Sequence, residues 1–290
     1  MYTDHHLDPL RAPRHTRRVL RPFALALLLA APVLAQESFS PRFEDGDVWI
    51  ESTRASLTLR LKVTEVEDGV DGATQEQKSA VSREERRETT ILEATRDTPA
   101  AFKTAWPLSR TLEGASGAVS KPTALEGQAV ELRGRDATPS DAPDAVKAAA
   151  REPAAWRALL PAASQSPGDS WTVPAAALAR VLVRGAREEP ADTSEIKVTF
   201  AGVAEKEGSR VATLTIAGSI AVDSRQDFRV QFDVKGELKW DLATGHPVSL
   251  AIAGEAKTLE GKVKDEVGEV VGKIAGEGSA FEVLVNYEVK

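Results

Sequence analysis

A strict alternation of apolar and polar side chains runs through residues 228–240. The apolar side chains occupy even positions, and the odd positions are charged or polar, with only Gly236 interrupting. A period of two places these two sets on opposite faces of a β-strand. The stretch therefore predicts a long strand with a bend or bulge at Gly236. Its apolar face is our candidate ligand-binding surface: Phe228, Val230, Phe232, Val234, Leu238 and Trp240.

Similar alternation elsewhere predicts a sheet with many strands. Four consecutive antiparallel strands with short connections are expected between residues 194 and 252, and a last strand at 281–289 is expected to pair inside the sheet. Residues 82–92 are densely charged and could form a solvated helix, although their C-terminal end favours a strand. Residues 258–275 stay ambiguous, because their apolar spacing fits a helix but three glycines weaken it.

The middle of the chain is rich in alanine and predicts short helices. Residues 141–160 would form two helices separated by Pro153, and Pro174 would open a third, with Gly185 beyond its end. Their apolar stripes are narrow, which suits helices lying on a sheet. The predicted fold class is α+β: a long, curved, mainly antiparallel β-sheet, half-barrel-like, with a few helices packed on one face.

The N-terminal 35 residues have the composition of a secretory signal peptide. A basic segment precedes an apolar run at 23–34, and small residues then lead to a cleavage site between Ala35 and Gln36. The apolar run is too short for a stable transmembrane helix after processing. An uncleaved anchor is the alternative, and the export route could be the general or the twin-arginine one. We therefore expect a periplasmic or extracellular protein.

These segments predict a simple domain organisation. A flexible tether at 36–47 would follow the leader, and a single domain would cover 48–290. Within that domain we expect a first β section at 48–140, a helical insert at 141–185 and a β-meander at 194–290. The whole chain has 42% hydrophobic and 28% charged residues, which is typical of a folded protein.

Composition excludes several classes of function. The chain has a net charge of −7, which argues against a nucleic-acid partner. There is no cysteine, and His246 is the single histidine after the leader, in a Gly-His-Pro turn where we expect it to be solvated. Transition-metal sites and a Ser-His-Asp triad are therefore disfavoured, and we expect no cofactor and no metal. The Asp-Gly steps at 68–72 indicate a turn, with a calcium loop as the alternative.

Two segments carry a resemblance to other proteins. They are Leu159-Leu160-Pro161 with Pro167-Gly168-Asp169-Ser170-Trp171, and the hairpin at 240–250. They resemble an uncharacterised family of secreted bacterial proteins with a long-stranded β-meander, whose shared residues are turn and packing residues. The architecture is also similar to periplasmic lipid- and lipoprotein-carrier half-barrels. The second likeness implies a fold and does not by itself imply a function.

These observations lead to three hypotheses of function. The leading one is a non-catalytic exported protein that binds an apolar ligand or an envelope protein through the apolar sheet face. The second is a structural or assembly protein of the cell surface. The third is a carboxylate-dependent hydrolase, since aspartate and glutamate are plentiful.

Overall fold

The structure is a computed structural model that describes residues 36–67, 69–95, 98–113, 119–175, 178, 195–206, 208–224, 228–264 and 269–290. The predicted leader at 1–35 lies outside the described residues. So does most of the third predicted helix, of which Ala175 and Leu178 are buried. The chain from Leu34 to Lys290 forms one compact unit.

Long antiparallel strands dominate the described part of the chain, as the alternation predicts. The first section contains β1 (Val48–Glu67), β2 (Val70–Ala94), β3 (Pro99–Glu113), β4 (Val119–Pro122), β5 (Ala129–Arg133) and β6 (Asp136–Thr138). The short strand β7 (Ser170–Pro174) lies within the predicted helical insert at 141–185. The meander contains β8 (Glu195–Lys206), β9 (Ser209–Ser224), β10 (Phe228–Asp241), β11 (His246–Lys264), β12 (Val270–Gly276) and β13 (Ala280–Val289).

In the described residues these 13 strands form one curved antiparallel sheet, which confirms the predicted fold class. The order across it is β6, β5, β3, β2, β1, β12, β11, β10, β9, β8 and β7, and β4 pairs with β3. β13 also lies between β1 and β11, beside the opposite half of β1. The C-terminal strands thereby join the first section to the meander.

The ambiguous segment at 258–275 belongs to strands in its described part. β11 continues to Lys264, and β12 pairs with β1 and β11. The helical spacing was therefore misleading. The glycines lower helix propensity, and the neighbouring strands satisfy the backbone hydrogen bonds.

The bulge expected at Gly236 is not there. Gly236 pairs in register with Ile216 of β9 and Ile252 of β11, and the irregularities in the β10–β11 pairing lie between Gln231 and Phe232 and between Lys239 and Trp240. A Cβ at Gly236 would overlap the carbonyl oxygen of Ala251. This glycine therefore permits the close approach of two strands, a role glycines also have in curved sheets.

Two of the predicted helices are present in the described residues, and both are short. α1 covers Asp144–Arg151, and a 3-10 helix covers Ala155–Leu159. Glu152 between them is extended, with ψ of 122°, because the residue before a proline disfavours the helical region. No helix in the described part of the chain is long and apolar enough to cross a bilayer.

The buried apolar side chains form two clusters. The helix core lies under α1 and contains Trp106, Val130, Leu132, Ala142, Val146 and Ala150. The larger meander core contains Phe39, Trp156, Leu159, Val173, Ala175, Leu178, Ile196, Val198, Phe200, Ala212, Leu214, Ile216, Ile220, Val230, Phe232, Val234, Leu238, Trp240, Leu250, Ile252, Leu259, Phe281, Val283 and Val285.

Residues 36–47 differ from the flexible tether that their composition suggests. The Phe39 ring is 4% exposed and packs edge-on against Phe200 at 5.2 Å between ring centroids. Glu37 pairs through its backbone with Gln165, and Arg42 donates to the carbonyl oxygen of Ala243 at 2.8 Å. This entry segment is anchored because it supplies a large ring to the meander core.

Candidate ligand-binding cavity

A cavity of about 240 Å³ lies beside α1, with lining residues from both the helix core and the meander core. Its floor comes from neighbouring strands. Glu51 of β1 lies directly opposite Arg87 of β2 and Tyr287 of β13 in the strand register. The sheet therefore brings an acid, a guanidinium and a phenol together at the floor.

Aromatic rings form much of the remaining lining. Phe43 stacks on Trp49 at 4.8 Å, and Trp49 stacks on Trp156 at 6.0 Å between ring centroids. Phe102 of β3 also lines the cavity. Trp156 reaches this position because Pro153 ends α1, and the 3-10 helix then turns the ring inward, where it is 2% exposed. Such lining suits a planar or apolar ligand.

Arg157 is the cation of the aromatic wall. Its guanidinium carbon lies 5.2 Å from the Phe43 ring centroid and 5.3 Å from that of Trp156, within range of cation–π interaction. Burial lowers the pKa of Arg157 from its ordinary value, but a guanidinium remains charged at neutral pH. Among the described residues, no carboxylate lies within ion-pair distance of it.

Tyr287 brings a phenol to the cavity. Its hydroxyl oxygen is buried and has no hydrogen-bond partner among the described residues, and the same is true of the Trp49 indole nitrogen. Burial raises the pKa of Tyr287 well above its ordinary value, the Glu51 carboxylate raises it further, and Arg87 opposes the change. The hydroxyl therefore keeps its proton and remains a donor at neutral pH.

The other charged side chains of the lining have contacts within the protein. Arg87 donates to the carbonyl oxygen of Ala150 at 3.3 Å, which links the floor to α1. Arg151 donates to the carbonyl oxygen of Arg135 at 2.8 Å. Glu51 accepts a long hydrogen bond of 3.5 Å from Thr53. These contacts hold the site in place and satisfy buried charge.

The predicted apolar face lies elsewhere, in the meander core. Val230, Phe232, Val234, Leu238 and Trp240 are 0–6% exposed and pack against other side chains, and none of them lines this cavity. The Phe228 side chain lies outside what the structure describes. Ligand binding by this face remains a prediction, and the described side chains show a filled core. The alternation indicates which face of the strand is buried. A strand in a filled core and a strand that binds a ligand show the same alternation.

The cavity residues carried weaker signals in the sequence. Tyr287 follows Val283 and Val285 on the same strand face, so its inward direction was predictable, whereas its neighbours Glu51 and Arg87 were not. Arg157 follows Trp156 directly and resembles an ordinary surface arginine in the sequence. Nothing local in the sequence indicates that these residues meet.

His246 has a structural role. Its Nε2 lies 3.1 Å from the carbonyl oxygen of Arg42, and its ring packs edge-on against Trp49 at 4.6 Å. It is therefore engaged with the entry segment and is not simply solvated, as its turn had suggested. In the described part of the chain, no group of three or more histidine, aspartate or glutamate side chains is placed to hold a metal ion.

Comparison with known proteins adds no family. No protein-family model matches this chain, and a comparison with curated proteins finds no significant match. The resemblances drawn from the turn motifs and the sheet architecture stay predictions.

Proposed function

We propose that this chain is an exported, non-catalytic binding protein that holds a small apolar ligand in the aromatic cavity. The observation that supports it is the cavity itself, with stacked Phe43, Trp49 and Trp156 along one side. Concave sites lined mainly by apolar and aromatic side chains, with a few polar groups, are typical of small-molecule binding.

The volume limits the size of the ligand. An apolar cavity of about 150 Å³ accommodates benzene, and drug-sized ligands occupy pockets of roughly 300–1,000 Å³. A cavity of about 240 Å³ lies between these values. It suits a molecule of one or two rings, or a short acyl chain, better than a complete lipid.

The exported location in this proposal rests on the leader. A basic segment, an apolar run and the small residues before Ala35-Gln36 are its support. The absence of cysteine is compatible with an oxidising compartment, because a core built from this many residues does not need disulfides.

Native mass spectrometry of the protein purified from its export compartment tests the binding function. We expect extra mass that disappears on denaturation and is recovered as a small apolar molecule. Naphthalene added to ligand-free protein should also bind, as measured by quenching of tryptophan fluorescence, since Trp49 and Trp156 line the cavity. A protein that carries no ligand and does not bind naphthalene contradicts the proposal.

A variant with a filled cavity gives the matched control. Ala154 lines the cavity and is partly exposed, so Ala154→Phe should abolish naphthalene binding with little loss of stability. Ala163→Phe adds the same ring at an exposed loop position and should leave binding unchanged. Equal binding by the two variants would place the ligand outside this cavity.

A further inference from the structure

We propose that the ligand is an apolar acid, whose carboxylate binds Arg157 while its apolar part fills the aromatic cavity. This inference rests on the proposed function and adds the chemical class of the ligand. The position of the Arg157 guanidinium in the cavity lining supports it, together with the absence of an acidic partner for Arg157 in the described residues.

Arg157 provides the charge complementary to a carboxylate. Its guanidinium carbon lies 5.2 Å from the Phe43 ring centroid and 5.3 Å from that of Trp156, and its N–H groups have no carboxylate within ion-pair distance in the described part of the chain. Planar guanidinium groups bind carboxylates in bidentate geometry, and an ordered guanidinium loses less conformational freedom on binding.

The charged side chains that line the cavity do not give it a net negative charge that would repel an anion. Three arginines (Arg87, Arg151 and Arg157) face two glutamates (Glu51 and Glu152) among the described lining residues. Arg87 and Arg151 already donate to backbone carbonyl oxygens, so Arg157 is the arginine placed to bind a ligand anion. Glu51 lies at the floor beside Tyr287, which favours a carboxylate bound towards the Arg157 side.

Isothermal titration calorimetry with a matched pair of probes tests this inference on the full-length protein. 2-Naphthoate and 2-naphthylmethanol share one ring system and differ in the carboxylate. We expect the wild-type protein to bind the carboxylate at least tenfold more tightly than the alcohol at neutral pH. Charge-assisted hydrogen bonds contribute enough free energy for a difference of about 10–100-fold.

Variants of Arg157 test whether this residue causes the preference for the carboxylate. Arg157→Gln should remove the preference for the carboxylate and leave alcohol binding within about twofold. Arg157→Lys, which retains the charge, should restore part of the preference. Arg54→Gln removes an arginine whose side chain is 73% exposed and should change neither probe.

The outcomes separate the two proposals. Equal binding of both probes by the wild-type protein, or an unchanged preference in Arg157→Gln, overturns the inference and leaves the apolar-ligand function standing. Binding of neither probe overturns the proposed function and the inference with it. Loss of both probes in Arg157→Gln, with both retained in Arg157→Lys, would make Arg157 a residue that shapes the cavity and would also overturn its role with the carboxylate.

Discussion

At the scale of single residues, the surroundings of a side chain in the fold influence its behaviour more than the residue type does. Tyr287 lies near the end of an otherwise ordinary strand of alternating side chains, yet its hydroxyl is buried beside Glu51 and Arg87. Arg157 would be a surface residue on an isolated helix, yet its guanidinium lies within cation–π range of two aromatic rings. Both effects depend on neighbours that are distant in the sequence.

The titration of Tyr287 should show this burial directly. We expect its phenol to ionise above the usual pKa of about 10 in the folded protein, and near 10 once the protein is denatured. The phenolate absorbance of wild type minus that of Tyr287→Phe isolates this residue, since the chain has two tyrosines. A native midpoint near 10 would contradict the buried environment.

The raised pKa of Tyr287 also predicts how the free energy of unfolding depends on pH. The folded state holds the proton more tightly than the unfolded state, so this contribution is fully present below pH 10 and is lost as pH rises through the folded pKa. Tyr287→Phe should therefore flatten the fall in the free energy of unfolding above pH 10. Below pH 9 its pH dependence should match that of the wild type.

At the scale of elements, the long strand beside β1 is interrupted once in its described part. β12 ends at Gly276, β13 begins at Ala280, and both run antiparallel to β1. At this interruption the buried Ser279 hydroxyl accepts from the Arg60 N–H at 2.9 Å, and the Ser279 carbonyl accepts from Ala256 at 2.8 Å. The Ser279 hydroxyl thus takes the place of a backbone acceptor for the Arg60 N–H, and the sheet continues across the interruption.

Ser279→Ala should weaken this junction. The Arg60 N–H would lose its acceptor, which should lower the free energy of unfolding by about 1–3 kcal/mol and speed hydrogen exchange at the Arg60 amide. Ser170→Ala is the matched control, because that hydroxyl is exposed and bonds Thr199 at 2.8 Å. We expect the control to change stability by less than about 0.5 kcal/mol. Unchanged exchange at Arg60 in the Ser279 variant would contradict this role.

At the scale of the whole molecule, the entry segment joins distant parts of the fold. Phe39 packs into the meander core, and Phe43 lines the cavity. Arg42 and His246 connect the segment to the β10–β11 hairpin. Gly245 in that hairpin has φ of 72°, and the segment crosses it so closely that a Cβ would lie 2.8 Å from the Arg42 side chain.

Phe39→Ala tests whether this segment is part of the folded domain. Removing a buried phenylalanine should lower the free energy of unfolding by about 3–5 kcal/mol in urea denaturation. Ser38→Ala, at the exposed neighbouring position, should have little effect. A tether would tolerate both substitutions equally, so equal midpoints would restore the original prediction for residues 36–47.

Much of the fold could be predicted from the sequence, because the period of the side chains depends only on neighbouring residues. The alternation at 228–240 reports which side of a strand is buried, and neighbouring residues alone determine that period. It therefore predicted β10, the antiparallel meander and the inward side of β13. It could not predict how the glycines act, because Gly236 is required by Ala251 of the adjacent strand. It also left 258–275 ambiguous, where strand pairing outweighs the helical spacing in the described residues.

The local alternation of side chains was enough to predict the fold class and the inward face of the main strands. The cavity, in contrast, depends on how distant segments pack together. Its lining comes from the entry segment, from β1, β2, β3 and β13, and from the turn after α1. Trp49, Trp156 and Tyr287 meet because β13 pairs with β1 and Pro153 redirects the chain. Pairing between distant segments sets such distances, and no local pattern of side chains encodes them.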